Sequence, residues 1–123
     1  YFWGNDIESR CANFRDRNDP SGASVQSLND GQAVTAPVGS YLSNRFGLSD
    51  MAGNVWEWTC SEYDRNYSGQ EQGCSDRSAN EGLRVVRGGS WNNGPGDLRS
   101  AKRLSRKPDY RDAMTGFRVV MEE

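Results

Sequence analysis

The sequence contains no histidine, and this absence excludes several classes of active site. Ser-His-Asp and Cys-His catalytic sites need an imidazole base, and many zinc, iron and copper centres use imidazole ligands. The sequence also lacks any apolar run that approaches the ~20 residues of a membrane-spanning helix. Its net charge of −2 gives no electrostatic reason to bind nucleic acid or an anionic membrane. We therefore expect no nucleic-acid partner and no membrane insertion.

Cysteine is scarce as well, and only Cys11, Cys60 and Cys74 are present. None of them forms a Cys-x-x-Cys pair, so zinc and thioredoxin-type sites are weakly supported. Cys60 and Cys74 bracket a polar loop that also carries an N-glycosylation sequon at residues 66–68. A disulfide between these two cysteines would indicate an extracellular, periplasmic or cell-surface location. Three free thiols are an equally good interpretation of the sequence.

Glycine and aromatic residues are plentiful, with 14 Gly, 4 Trp, 5 Tyr and 4 Phe in 123 residues. Disordered chains are poor in aromatic residues, so this composition indicates one folded, loop-rich domain over residues 1–123. Apolar and alternating segments predict strands at residues 53–59, 83–87 and 116–121, with weaker alternation at 98–105. Long polar connections and the near absence of helical patterns indicate a β-rich α+β fold.

Residues 44–58 contain two carboxylates, Asp50 and Glu57, with no basic residue between them. The same stretch concentrates the apolar side chains of Phe46, Leu48, Met51, Val55, Trp56 and Trp58. This combination predicts a buried, turning segment whose acids need a positive partner. We interpret it as a metal-organised core. The alternative is that both acids accept backbone N–H groups and cap turns.

Several motifs follow one another along the chain. They are residues 1–5 (YFWGN), 12–14 (ANF), 35–39 (TAPVG), 46–58 (FGLSDMAGNVWEW), 84–91 (RVVRGGSW), 98–103 (LRSAKR) and 116–118 (GFR). Together they resemble the formylglycine-generating enzyme (sulfatase-modifying factor) family over nearly the whole chain. The resemblance implies a small, C-type-lectin-like version of that fold. The family's usual N-terminal part has no counterpart upstream of Tyr1, so we expect either a trimmed fragment or a minimal version, and in the first case other domains or subunits supply the missing part.

The resemblance further implies one or two structural calcium ions, which bind oxygen ligands from carboxylates and backbone carbonyls. The first ligand set consists of the Asp50 and Glu57 side chains with the carbonyl groups of Gly53 and Val55. The second set consists of the Asn13 and Asp30 side chains with the carbonyl groups of Phe14 and Gln32.

Arginine and tryptophan residues are expected to be structural. The arginines within or beside apolar strands are Arg84, Arg87, Arg99, Arg103 and Arg118. Such arginines commonly hold turn carbonyl groups or buried acids with their planar guanidinium groups. The three tryptophans at positions 56, 58 and 91 are assigned to the core rather than to a ligand platform.

Enzymes of this family oxidise a cysteine with a copper-binding cysteine pair, located between the Gly-Gly-Ser-aromatic motif and the next Arg-rich strand. Here that interval, residues 92–98, contains no cysteine. Because Cu(I) requires soft thiolate ligands, we expect no copper and a non-catalytic chain. An oxidoreductase acting on a protein or peptide remains the alternative, and a subunit of a larger extracellular assembly is a third possibility.

Residues 92–115 also resemble the diversified surface of retroelement-diversified variable proteins, where scaffold positions alternate with assorted side chains. The sequence therefore predicts a surface for a protein or glycan ligand. The candidate ligand-binding residues are Asn92, Asn93, Asp97, Lys102, Leu104, Arg106, Tyr110, Asp112 and Met114. Arg111 and Phe117 are assigned to the scaffold, and an ordinary polar surface is the alternative interpretation.

Overall fold

The computed structural model describes residues 1–22, 25–76 and 81–121. Its regular elements are four short strands and two single-turn 3-10 helices. The strands are β1 (Trp56–Glu62), β2 (Arg84–Arg87), β3 (Arg103–Arg106) and β4 (Thr115–Gly116), and the helices are η1 (Gln70–Gln72) and η2 (Pro95–Asp97). No described helix has the length or apolar character needed to cross a bilayer. Irregular segments make up most of the described chain.

The four strands form one sheet in the order β3-β2-β1-β4. The β1–β2 and β2–β3 pairs are antiparallel, whereas β4 runs parallel to β1 with Thr115 opposite Trp56. A register shift between Trp58 and Glu62 bends β1. Trp56, Val85 and Val86 are buried on these central strands. A second cluster packs Phe14 and Leu98 with small alanines under the N-terminal segment.

The predicted strands agree with the structure in the sheet centre but not at its edge. The strand predicted at 53–59 begins at Trp56, because Gly53 and Asn54 have φ angles of 78° and 65°, which no strand accommodates. The strand predicted at 83–87 is confirmed from Arg84 onward. The strand predicted at 116–121 is wrong beyond Gly116, since the described chain offers residues 117–121 no pairing partner.

The expectation that residues 44–58 are buried is wrong for their first half. Phe46, Leu48 and Met51 are exposed, whereas Ala52 to Asn54 and Trp56 are buried. The reason is a turn closed by Asn44, whose Oδ1 accepts the backbone N–H groups of Phe46 and Leu48 at 2.9 and 3.1 Å. This turn projects the two apolar side chains outward.

The polar segment after β1 is fixed to the sheet at two places. Cys60 and Cys74 are joined by a disulfide, which closes the loop, and Cys11 remains a free, buried cysteine. Inside the loop, the Glu71 side chain is fully buried and forms ion pairs with Arg87 and Arg103. The loop is therefore anchored covalently at its ends and electrostatically at its centre. Residues 77–80, at its far end, lie outside the described residues.

Candidate functional site

The four residues of the first predicted calcium set line one cavity of about 350 Å³. Asp50 enters it from the turn before Met51, and Gly53, Val55 and Glu57 follow along the segment that becomes β1. The predicted residues therefore lie together in the structure. The exposed side chains of Val38, Leu48 and Phe117 line the same cavity.

Arg118 is a member of this cavity that sequence reasoning did not place there. Its Nε and terminal nitrogen donate to the two carboxylate oxygens of Glu57, each at 2.6 Å. The same terminal nitrogen donates to the carbonyl oxygens of Ser49 and Asp50, at 3.0 and 3.2 Å. The hydrogen bond to Glu57 raises the pKa of Arg118. Arg118 thus provides positive charge next to Glu57, in the structural role predicted for it, where the sequence analysis also proposed a metal.

Asp50 provides the strongest fit to a cation. Its Oδ2 accepts the backbone N–H of Gly39 at 2.6 Å, while its Oδ1 is buried without a hydrogen-bond partner in the part of the chain described. A buried carboxylate oxygen without a partner is energetically costly. A cavity lined by a second carboxylate and by two residues with candidate carbonyl ligands offers the oxygen donors that Ca²⁺ prefers. The orphaned Asp50 oxygen is thus compatible with the predicted cation, whereas both Glu57 oxygens are already paired with Arg118.

The second predicted calcium set is also brought together, but its oxygens are more fully occupied. The Asp30 carboxylate accepts the backbone N–H groups of Phe14 and Gln32 at 2.7 and 2.8 Å. Asn13 donates from its side-chain amide to the Val34 carbonyl oxygen at 2.8 Å, and its Oδ1 is buried without a partner among the described residues. Burial raises the pKa of Asp30. Asp30 therefore caps turns, and the Asn13 Oδ1 atom is the oxygen of this set that is left for a cation.

No group of three or more Asp, Glu, Cys or His side chains lies close enough to hold a metal in residues 1–22, 25–76 and 81–121. The two predicted sets contain two carboxylates and one carboxylate respectively, and otherwise depend on amide and carbonyl oxygens. A cation at the second set would therefore be bound largely by neutral oxygen donors, whereas the first set is divided evenly between carboxylate and carbonyl donors.

The structural role predicted for the arginines is confirmed where their contacts are described. Arg103 donates to the Asp64 and Arg65 carbonyl oxygens and to Glu71. Arg99 donates to the Gly96 carbonyl oxygen at 2.9 Å, and Arg87 to that of Ser100 at 3.4 Å. These guanidinium groups hold turns in place, as Arg118 does.

Three of the predicted ligand-binding residues are engaged in an internal network. Asn93 Oδ1 accepts hydrogen bonds from the Trp56 indole at 2.8 Å and from the Ser90 hydroxyl at 2.5 Å. Its amide donates to Asp97 at 3.0 Å, and Asp97 forms a 2.9 Å ion pair with Lys102. In this structure these side chains support the loop around η2 rather than project freely from it.

Most of the other predicted ligand-binding residues lie at the surface around a second cavity or along β3. Leu104 pairs with Val86 in the sheet, and Asn92 and Met114 are half-buried. The guanidinium group of Arg106 lies 4.7 Å from the centre of the Tyr110 ring. Tyr110 and Asp112 line a concave site of about 400 Å³.

That concave site contains residues that the sequence analysis assigned elsewhere. Trp58 and Trp91 are half-buried rather than in the core, and Trp58 lines this site, whereas Trp56 is 3% exposed as predicted. Arg111 and Phe117 also line it, although both were assigned to the scaffold. Alternation in β1 places Trp56 and Trp58 on the same side of the strand. It could not show that the chain covering Trp56 does not extend over Trp58.

The three thiols do not form a metal-binding pair. Cys60 and Cys74 are oxidised to a disulfide. Cys11 is 2% exposed, and burial raises the pKa of its thiol, with the nearby Glu8 adding to the effect. A thiolate that reacts or binds copper at neutral pH requires the opposite environment.

Known proteins resemble this chain over most of its length. The family profile described as "Sulfatase-modifying factor enzyme 1-like domain" matches residues 1–123. The chain is 32% identical over 126 residues to inactive C-alpha-formylglycine-generating enzyme 2 of Bos taurus, covering 98% of the chain and 36% of that protein. It is 33% identical over 128 residues to the formylglycine-generating enzyme of Streptomyces coelicolor, covering 98% and 40% respectively.

Among solved structures, Treponema denticola variable protein 1 superposes with a TM-score of 0.63 at 26% identity, over 93% of this chain and 38% of that one. The chain thus spans about two fifths of the length of the two full-length relatives. Because the family profile covers all 123 residues, the chain belongs to the sulfatase-modifying factor (formylglycine-generating enzyme) family.

Proposed function

We propose that this chain is a non-catalytic, calcium-stabilised binding or structural module that presents residues 92–115 to a protein or glycan ligand. The observation that carries the proposal is the state of its cysteines. Two are joined in a disulfide, the third is buried, and residues 92–98 contain none. The family's copper-dependent oxidation therefore has no thiolate pair on this chain. The resemblance to an inactive relative and to a variable protein supports the same proposal.

The proposed architecture is a C-type-lectin-like variant of the family fold. A disulfide and an exposed sequon at Asn66 support a location outside the cytosol, in the periplasm or at the cell surface. The variable surface would then face partners outside the cell, and nucleic acid is not among the expected partners. The alternative, an oxidoreductase, would convert a cysteine-containing peptide, whereas a non-catalytic module would not.

Copper reconstitution tests the non-catalytic role. We expect the chain, supplied with Cu(I), oxygen and a cysteine-containing peptide, to leave the peptide mass unchanged, because no thiolate pair is available to hold the metal. The Streptomyces coelicolor formylglycine-generating enzyme serves as the positive control in the same assay. Conversion of the peptide cysteine to formylglycine by this chain would overturn the proposal.

Calcium removal tests the stabilising role of the first ligand set. We expect Ca²⁺ at 100 times its Kd to add about 2.7 kcal/mol to the free energy of unfolding, and EDTA to abolish the gain. Asp50→Asn should lose most of this response, because Asp50 holds the orphaned carboxylate oxygen. Asp6→Asn, at an exposed position away from the cavity, should keep it. An unchanged melting temperature in EDTA, together with no calcium by elemental analysis, would contradict the calcium assignment.

An assembly role has separate support from exposed apolar side chains. Val119, Val120 and Met121 are 84–87% exposed, and Val38 and Phe46 are 89% and 70% exposed. Val38 and Leu48 adjoin the proposed calcium cavity. Exposed apolar surface of this kind is typical of interaction sites. We propose that further domains or subunits cover it, and native mass measurement on the protein as isolated tests this: a strictly monomeric chain of 123 residues would exclude a separate covering subunit.

A further inference from the structure

The concave site beside Trp58 has two kinds of wall. Its floor is aromatic, formed by Trp58 on β1 and by Phe117 just after β4. The parallel register places Thr115 opposite Trp56 and Gly116 opposite Glu57, so the next step along both chains brings Phe117 level with Trp58. Its far wall is the loop containing Pro108, Tyr110, Arg111 and Asp112.

The acidic residue of this wall, Asp112, is hydrogen-bonded within its own loop. Asp112 Oδ2 accepts the Tyr110 hydroxyl at 2.9 Å, and its Oδ1 accepts the Met114 backbone N–H at 2.9 Å. The Tyr110 ring is held further by the Arg106 guanidinium group, 4.7 Å from the ring centre. Each Asp112 oxygen and the Tyr110 proton thus already has one hydrogen-bond partner within the loop.

Arg111 differs from these neighbours. It is exposed, lines the site, and forms no hydrogen bond or ion pair with any residue that the structure describes. Its guanidinium group is therefore the uncommitted charge beside the aromatic floor. An unpaired arginine next to aromatic rings matches a carboxylate attached to an apolar body, since arginine binds carboxylates through two parallel hydrogen bonds.

We propose that this site binds a peptide segment of a partner protein in which an aspartate or glutamate adjoins an aromatic or apolar side chain. The carboxylate pairs with Arg111, and the apolar side chain packs on Trp58 and Phe117. A peptide carboxylate is favoured over an uncharged sugar because the charged group left unpaired at this site is the Arg111 guanidinium, whereas each Asp112 oxygen already accepts one hydrogen bond. This inference rests on the proposed binding role of residues 92–115 and names the class of its partner.

The test is an NMR titration of the full chain with two blocked dipeptides, N-acetyl-Phe-Glu-amide and N-acetyl-Phe-Gln-amide. We expect the Glu peptide to shift the Trp58 indole resonance with a Kd on the order of millimolar. The Gln peptide should bind up to about fivefold more weakly, because it lacks the charge-assisted pair with an exposed arginine. Arg111→Gln should lose the preference for the Glu peptide. Arg99→Gln, at an exposed arginine that lies in the segment 92–115 but does not line the site, should retain it.

Equal affinity for the two dipeptides, or an undiminished preference in Arg111→Gln, would overturn the inference. A panel of monosaccharides distinguishes this failure from failure of the proposed function. If sugars shift Trp58 and the peptides do not, the acidic-peptide inference is wrong and the binding role of residues 92–115 is retained. If neither class of probe shifts any resonance from residues 92–117, both are contradicted.

Discussion

Gly53→Ala is expected to destabilise the protein by at least about 4 kcal/mol, close to the total stability of many small domains. A Cβ atom at position 53 would lie 2.1 Å from the Asn13 carbonyl oxygen, which is backbone and cannot rotate away. The same oxygen accepts the Asn54 N–H at 2.8 Å. Gly53 also has φ of +78°, which adds the cost of a left-handed alanine. Urea unfolding followed by tryptophan fluorescence measures the loss.

Gly47→Ala separates the two contributions. Gly47 has a nearly identical φ of +76°, but nothing lies within 4 Å of the position of an added Cβ. We expect this control to cost only the ~1–2 kcal/mol of the left-handed conformation. The difference should persist in EDTA, because alanine retains the carbonyl group proposed for calcium. Equal losses in the two variants would show that the contact between residues 13 and 53 is not tight.

Sequence patterns located the centre of this sheet because the relevant information is local. Val85 and Val86 form an apolar pair between arginines, and they are fully buried on β2. The end of β1 and the state of residues 117–121 depend instead on which segments meet in space. The sequence predicts a strand from the apolar character of Val119 and Val120, but no described segment pairs with them. Periodicity reports what a segment can bury, not what is available to bury it.

In the candidate sites, too, local patterns were informative and long-range contacts could not be foreseen. The family resemblance grouped Asp50 with Glu57, and both residues line one cavity. It could not reveal that Arg118, sixty-one residues from Glu57, occupies that carboxylate. It also could not distinguish Asn93, which is tied into an internal network, from Arg111, which has no described partner. Both are polar residues of one surface segment, and only long-range contacts separate scaffold from candidate ligand-binding residue.

Glu71→Gln is expected to cost about 3 kcal/mol of unfolding free energy, the second-largest effect we predict. The Glu71 side chain is fully buried, whereas Arg87 and Arg103 are 32% and 18% exposed. Glutamine preserves the volume and an oxygen for the Asp64 backbone N–H, while it removes the charge and replaces one acceptor oxygen with an NH2 donor. Two partly buried guanidinium groups are then left without their counter-ion. Their partial exposure places the loss at the lower end of the range for broken buried ion pairs.

Glu8→Gln is the matched control, because Glu8 forms its ion pair with Arg10 at the surface, where the side chains are 44% and 76% exposed. Such a pair contributes at most about 1 kcal/mol. A double-mutant cycle between Glu71→Gln and Arg103→Gln then measures the coupling directly, and we expect more than ~1 kcal/mol. Equal losses for Glu71→Gln and Glu8→Gln would mean that the buried cluster contributes no more than a surface pair. The disulfide at residues 60 and 74 would then be the main anchor of this loop.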